Sequence, residues 1–362
     1  MSTALLLPPL LLLCGWLLLT FHSTTAWSIP SSTARPPPLV LRELLQSEIN
    51  GTRSDIASPI LLPCCYDGLT ARLVARAGFE ATFMTGFGVS AARGFPDTQL
   101  ISYQEMQSTC LAVAEGLASV ALEQQTASSL SSSSSRATIT LPAEPIPCIA
   151  DGDTGYGNAV NVQRTVWGYG RAGMAGIMLE DQVSPKRCGH VAGKAVVPAS
   201  EALQRIKAAV DARDQFEALY GSGTGPLILA RTDALRTDGL AAAIDRCNAF
   251  VEAGADMTFL EAPTCIDDMQ AYCEQVPGPK LANMLEQGST PILPPSQLKE
   301  IGYTMAAYPL TLLSASIKAM QDSLLAIKEG RSTDDFILPF DETKDAVGFT
   351  RYAQLEQRYR TD

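Results

Sequence analysis

The chain has 362 residues, of which 46% are hydrophobic and 18% charged, a composition that fits a globular core and excludes a disordered chain. At about 150 residues per domain the length suggests roughly two domains, although an α/β barrel of about 250 residues often forms one. Lys plus Arg is 27 against 38 Asp plus Glu, so the net charge is −11. That balance argues against general nucleic-acid binding and against docking on anionic lipid. Only two histidines are present, His22 and His190, which excludes multi-histidine zinc sites and disfavours a Ser-His-Asp hydrolase. A metal here is held mostly by oxygen, which favours Mg²⁺ or Mn²⁺. The nine cysteines have no regular spacing and read as free thiols in a reducing compartment.

Residues 1–26 read as a secretory signal peptide. Leu5 to Leu19 is apolar but for Pro8, Pro9 and a few small residues, and Thr24-Thr25-Ala26 offers a small-residue cleavage site. Residues 27–42 carry arginines, no acids and many Ser, Thr and Pro, as transit peptides do. Together the two segments resemble the bipartite plastid leader of algae with secondary plastids, with Trp27 as the aromatic residue after the cleavage point. The expected destination is a plastid by way of an ER-type signal, with the secretory pathway or the mitochondrion as alternatives. No membrane association is expected once the leader is removed. Asn50-Gly51-Thr52 is a glycosylation triplet that matters only on secretion.

From Glu43 onward a helical stretch repeatedly ends in Ala-Gly, then a short apolar run follows, then a polar cluster. Ala77-Gly78, Ala172-Gly173 and Ala253-Gly254 are three such helix stops. The apolar runs predict buried parallel strands at Ile60–Pro63, Ala81–Thr85, Ile146–Ala150, Gly176–Glu180, Leu227–Arg231, Met257–Leu260, Lys280–Met284 and Thr304–Ala307. Amphipathic helices such as Ser200–Ala218 and Leu240–Ala253 separate most of them. This alternation predicts a (β/α)₈ TIM barrel over residues 43–330. An open doubly wound sheet is the rival, but no Gly-x-Gly-x-x-Gly follows an early strand. The serine-rich stretch Ala127–Thr138 is expected to be a surface loop, and Gly221 to Gly225 a plain turn. Beyond a long helix from Pro309 to about Glu329, residues 331–362 form a helical extension, with one helix near Thr343–Arg358.

Barrel active sites lie at the C-terminal ends of the strands. Successive predicted strands end in Asp151-Gly152-Asp153, Glu180-Asp181, Arg231-Thr232-Asp233, Glu261 and Asn283. Any one of these fits a helix cap or an ion pair; the set points to a site. Asp151, Asp153 and Glu180 suit a hard divalent cation, directly or through water. Lys186-Arg187-Cys188-Gly189-His190 follows the fourth strand; its flanking cations are expected to stabilise a Cys188 thiolate, with a surface turn carrying an incidental thiol as the alternative, and the neighbouring carboxylates favour a catalytic thiol.

These motifs resemble the isocitrate lyase and phosphoenolpyruvate mutase superfamily, from about Pro59 to Gly330. Lys186 to His190 resembles the lyases' catalytic loop. Asp151 to Asn158 and Leu179 to Gln182 resemble the metal-site segments. Thr85-Gly86-Phe87-Gly88-Val89 resembles the loop that holds a substrate carboxylate, and Gly94-Phe95-Pro96-Asp97 the segment that gives a further metal-shell acid. The nearest branch is the short lyases: 2-methylisocitrate lyase, dimethylmalate lyase and the petal-death-protein group. The resemblance implies a TIM barrel whose last helix is swapped between subunits of a homotetramer, a Mg²⁺ or Mn²⁺ cofactor and a small carboxylate substrate. It implies metal residues Asp97, Asp151, Asp153 and Glu180, and substrate contacts from Thr85, Gly86, Phe87, Lys186, Gly189 and Asn283. Cys188 is the expected acid, Arg231 the oxyanion stabiliser, and His190 and Glu261 groups that orient substrate or tune the thiol. The implied reaction cleaves a C–C bond of a 2-hydroxy di- or tricarboxylate to give a 2-oxo acid and a carboxylate. Oxaloacetate hydrolysis or decarboxylation, phosphonate mutase chemistry and a non-catalytic small-molecule-binding barrel are the rivals. The intact Asp151, Cys188 and Arg231 argue against the last.

Overall fold

A computed structural model describes residues 35–53, 57–129, 142–187 and 193–361. In chain order the elements are α1 (Pro37–Ile49), β1 (Ile60–Cys65), α2 (Gly68–Arg76), β2 (Thr82–Met84), α3 (Gly86–Ala92), α4 (Tyr103–Ser129), β3 (Cys148–Asp151), α5 (Ala159–Arg171), β4 (Gly176–Glu180) and α6 (Ala199–Tyr220). They continue with β5 (Leu227–Thr232), α7 (Leu240–Glu252), β6 (Met257–Leu260), α8 (Ile266–Gln275), β7 (Lys280–Asn283), α9 (Pro295–Ile301), β8 (Met305–Tyr308), α10 (Thr311–Lys328), α11 (Phe340–Ala346) and α12 (Phe349–Tyr359).

The strands close in sequence order, and β8 returns to pair with β1. Every ladder is parallel; Leu61 lies opposite Ala306, and Glu180 opposite Arg231. The open-sheet alternative is thereby excluded. Gly78, Gly173 and Gly254 all have positive φ, between 84° and 98°, so the Ala-Gly stops do end helices as the sequence suggests.

Strand side chains alternate between two cores. Ile60, Leu62, Cys64, Phe83, Ile149, Met178, Leu227, Leu229, Met257, Phe259, Leu281, Met305 and Ala307 fill the barrel interior. Their neighbours Cys65, Cys148, Ala150, Ile177, Leu179, Ile228 and Ala230 pack outward under the helices. Leu41 and Leu45 of α1 join the interior cluster. Helix α1 is anchored from outside by Arg42, which reaches Asp256 at 3.1 Å, and by the buried Glu48, bonded to Lys299 and Arg53.

Four sequence expectations need correction. Helix α1 begins at Pro37, inside the stretch assigned to a transit-like leader, because Leu41 is a core residue. Helix α4 runs on to Ser129, so the serine-rich segment opens as helix; residues 130–141 lie outside the described residues. Thr85 to Val89 is no open loop: Thr85 caps α3, and Gly86 to Val89 are its first residues. The single helix expected near Thr343–Arg358 is two, α11 and α12, parted at Gly348 with φ 93°. Among the described residues no helix is long and apolar enough to cross a membrane.

Candidate active site

The site follows from the register of the strands. Each residue two places after the last interior apolar side chain points the same way and forms the next layer up. From Phe83 that step reaches Thr85, from Phe259 Glu261, from Leu281 Asn283 and from Ala307 Pro309. From Ile149 it reaches Asp151, from Met178 Glu180 and from Leu229 Arg231. A pocket opens over this layer, lined by Thr85, Asp97, Asp151, Lys186, Arg231, Glu261, Asn283 and Pro309. Its wall is largely apolar, with Phe83, Phe87, Phe259, Leu281, Leu285 and Leu310, and Cys64 and Met178 also line it.

The acids are oriented by dedicated donors. The Asp153 amide donates to Asp151 Oδ1 at 2.9 Å, and the Gly86 amide to Asp151 Oδ2 at 3.2 Å. The Tyr156 hydroxyl donates to Asp153 Oδ2 at 2.9 Å, while Tyr169 donates to the Asp151 carbonyl at 3.0 Å. Asp153 and Tyr156 both hold left-handed backbone, φ 48° and 60°, a strain that clusters at functional sites. The Lys186 ammonium enters this group, 2.7 Å from Asp97 Oδ1, 2.9 Å from Asp153 Oδ1 and 4.0 Å from Asp151 Oδ2.

Arg231 forms the second charged centre. It donates from Nε to Asp233 Oδ2 at 2.8 Å and from Nη2 to Asp233 Oδ1 at 3.2 Å. Its guanidinium also lies 3.3 Å from Glu180 and 3.6 Å from Glu261. Lys194 caps Asp233 at 2.6 Å, and the Asp233 amide donates to Asp181, itself held by Thr232 and Arg246.

Burial shapes the titration of these groups. It pushes the Asp151 carboxyl up to about 6; Lys186 opposes the rise, and Asp153 and Asp97 add to it. Burial likewise drives Glu180 well above the carboxylate range against the pull of Arg231 and Lys186. Lys186 is driven down by burial, but Asp153, Asp151, Asp97 and Glu180 outweigh this and hold it charged. For Asp233 burial is overcome by Arg231 and Lys194, which hold its carboxyl down at about 2. Burial pushes the Cys64 thiol far up, leaving it an inert part of the pocket floor.

The donor set suits a divalent cation. Asp97, Asp151, Asp153 and Glu180 offer only oxygens, and Asp153 Oδ1 and both Glu180 oxygens are buried and make no hydrogen bond, facing only the charges of Lys186 and Arg231. Among the described residues no three acids converge on one point as they stand, and Lys186 lies between Asp97 and Asp153.

The structure therefore brings together Thr85, Phe87, Asp97, Asp151, Lys186, Arg231, Glu261 and Asn283 around one pocket, with Asp153 and Glu180 beside them. The Gly86 amide is used on Asp151 and the Gly88 amide on Thr85 Oγ1, so these amides orient the protein's own groups. Lys186, expected to touch substrate, lines the pocket and also binds the acids. Met284 belongs to the outer core with Leu260 and Leu298, not to the pocket. Cys188, Gly189 and His190 lie outside the described residues. Sequence reading overlooked Asp233 and Lys194 as the brace for Arg231, and Gln99. Gln99 Oε1 accepts from the Lys186 amide at 3.2 Å and Ser184 Oγ at 2.8 Å, while its Nε2 donates to Thr154 at 2.9 Å. Asp233 carried a signal, an acid two residues after a strand-end arginine on the same face; Gln99 and Lys194, in irregular segments, carried none.

A closed parallel barrel with acids and an arginine at the C-terminal ends of its strands defines a TIM-barrel protein with an enzyme-like site. The family model described as phosphoenolpyruvate phosphomutase matches residues 54–328, and the chain belongs to that family, within the isocitrate lyase and phosphoenolpyruvate mutase superfamily. The chain is 38% identical to a 2,3-dimethylmalate lyase of Eubacterium barkeri, over 83% of this chain and 94% of the relative. It is also 38% identical to a chloroplastic carboxyvinyl-carboxyphosphonate phosphorylmutase of Arabidopsis thaliana, over 83% and 80%. A 2-methylisocitrate lyase of Aeropyrum pernix is 36% identical over 88% and 90%. Among solved structures, a 2,3-dimethylmalate lyase superposes with a TM-score of 0.74 at 30% identity, over 90% of this chain and 95% of that one. An oxaloacetate acetylhydrolase bound to 3,3-difluorooxalacetate gives 0.73 at 31%, over 89% and 96%.

Proposed function

We propose that this protein is a Mg²⁺-dependent lyase that cleaves the C2–C3 bond of a 2-alkylmalate, giving a 2-oxo acid and a carboxylate. The observation that carries this reading is the joining of a carboxylate nest and a braced arginine to an apolar pocket wall. Phe83, Phe87, Phe259, Leu285, Pro309 and Leu310 suit alkyl substituents on the substrate carbons. Lys186 and Arg231 are the cationic side chains lining the pocket among the described residues, and both are held by acids. That favours a substrate with two carboxylates over one with three.

Asp97, Asp151, Asp153 and Glu180 would hold the ion, directly or through water. When bound, the ion would supply positive charge that acidifies the substrate's 2-hydroxyl. As a general base takes the hydroxyl proton, the oxygen electrons form the C=O of the 2-oxo acid and the C2–C3 pair passes to the departing carbon. The Cys188 thiol gives that carbanion a proton, a general-acid role. Arg231, held rigidly by Asp233, stabilises charge on the developing oxyanions through its fork of donors. Glu261 and Asn283 orient the substrate, and His190 tunes the thiol.

The exposed apolar side chains of the last helices, among them Leu324, Ile327, Phe340, Phe349 and Tyr352, suit burial against further copies of the chain in a homo-oligomer. Plastid residence fits the leader-like N-terminal sequence and the chloroplastic relative.

The test incubates the protein with Mg²⁺ and reductant, separately with 2,3-dimethylmalate, other 2-alkylmalates, 2-methylisocitrate, isocitrate and oxaloacetate, and follows products by NMR. A 2-oxo acid released from a 2-alkylmalate, lost with EDTA and restored by Mg²⁺, is expected. Preference for a tricarboxylate overturns the substrate class. Acetate and oxalate from oxaloacetate alone move the chain to hydrolysis.

A further inference from the structure

We propose that Lys186 is a built-in cation of the acidic nest, and that a divalent ion competes with it for the same carboxylate oxygens. The inference rests on the assignment of that nest to a metal.

Apart from those of Glu180, which make no hydrogen bond, the free oxygens are few. Both Asp151 oxygens accept backbone amides, and Asp153 Oδ2 accepts the Tyr156 hydroxyl. Asp153 Oδ1 and Asp97 Oδ1 are the oxygens that face Lys186 Nζ, at 2.9 and 2.7 Å. The ammonium is buried there, only 3% exposed, so water does little to screen it. Its backbone is held as well. Gln99 accepts the Lys186 amide, and Gln182 accepts the Arg187 amide at 3.0 Å while donating to the Arg187 carbonyl at 2.9 Å. The contact is thus a fixed part of the fold, unlike the swing of an exposed lysine. One ammonium does not balance the clustered carboxylates, which leaves the nest attractive to more positive charge. A divalent ion drawn to Asp97 and Asp153 meets Lys186 at their Oδ1 atoms, and two cations on one pair of oxygens repel. Binding must therefore displace the ammonium or remain weak. Lys186 sets the metal affinity downward while protecting the fold from carboxylate repulsion.

The test uses the full chain and Mn²⁺ as the probe, with free Mn²⁺ read by electron paramagnetic resonance. Lys186→Met, which keeps the bulk and removes the charge, is expected to bind Mn²⁺ about tenfold more tightly or better. It is also expected to melt earlier than wild type without added metal and to recover in millimolar Mg²⁺. A second measurement needs no variant. Amine acylation of wild type, read by peptide mass spectrometry against the exposed Lys318, is expected to label Lys186 severalfold faster once Mg²⁺ is added. Weaker or unchanged Mn²⁺ binding in the variant, or unchanged labelling of wild type on metal addition, overturns the competition. If wild type binds Mn²⁺ and the variant binds it equally, this inference fails alone. If neither binds, the metal assignment fails with it.

Discussion

Asp233 never touches the pocket, yet it decides how Arg231 stands. Replacing it by asparagine keeps the shape and removes the charge that both Arg231 and Lys194 face. The structure fixes the expected size. Its carboxyl falls from 3.8 to about 2, so the native fold prefers the ionised form. At about 1.4 kcal/mol per pH unit, that preference is worth about 2.5 kcal/mol. This stability is fully present above 3.8 and is lost as the pH falls through about 2. At about pH 6, Asp233→Asn should cost about 3–5 kcal/mol, as when one member of a buried pair is removed. By about pH 3 the deficit should have shrunk by about 1 kcal/mol, because wild type has begun to lose the same term. The assay is urea unfolding of both proteins across that range, with the difference in free energy plotted against pH. A deficit under 1 kcal/mol near pH 6, or one that stays constant with pH, would refute the assignment of Asp233 as the charged brace. Lyase turnover should fall with the same substitution, since a loosened Arg231 no longer meets the oxyanion.

Two further substitutions probe the pocket from opposite sides. In Gly86→Ala the added Cβ falls 2.5 Å from Asp151 Oδ2 and 3.0 Å from its Cγ, so the carboxylate must move. A displacement approaching an ångström at a reacting centre costs about 10²-fold in kcat/KM. Mn²⁺ affinity should drop while the melting temperature stays near wild type, and retained affinity would show that the Asp151 position is not critical. Cys188→Ser should abolish cleavage in the NMR assay and leave Mn²⁺ binding intact; undiminished turnover would remove the thiol from the acid role.

Much of this site is legible in the sequence because a barrel strand has one rule, that every second side chain faces inward. The apolar runs Gly176–Glu180 and Met257–Leu260 agree with β4 and β6 to the residue, and Leu227–Arg231 falls one residue short of β5. The polar residues that close such runs fall on the interior face by parity, which is why Asp151, Glu180, Arg231, Glu261 and Asn283 meet. What failed was local conformation where glycine misleads. Gly86-Phe87-Gly88 reads as a loop, but Thr85 caps it into α3, and Asp151 fills the space that a Cβ at Gly86 would need. Gly348 divides one amphipathic stretch into α11 and α12. The partners of the charged residues were also hidden. Lys186 with Asp97, and Lys194 with Asp233, are joined only by tertiary packing of irregular segments. Met284 follows β7 on the outward parity and packs in the outer core.

Helix α1 bears on how far the chain can be shortened from its N-terminus. Arg35 pairs with Glu43 and Glu144, and Leu41 is a stopper in the end of the barrel opposite the pocket. A protease cutting just before Glu43 would remove the first turns of α1 together with Leu41 and uncork the barrel. A cut before Arg35 would leave the stopper seated. The longest N-terminal truncation compatible with a filled barrel is thus bounded by packing at its closed end.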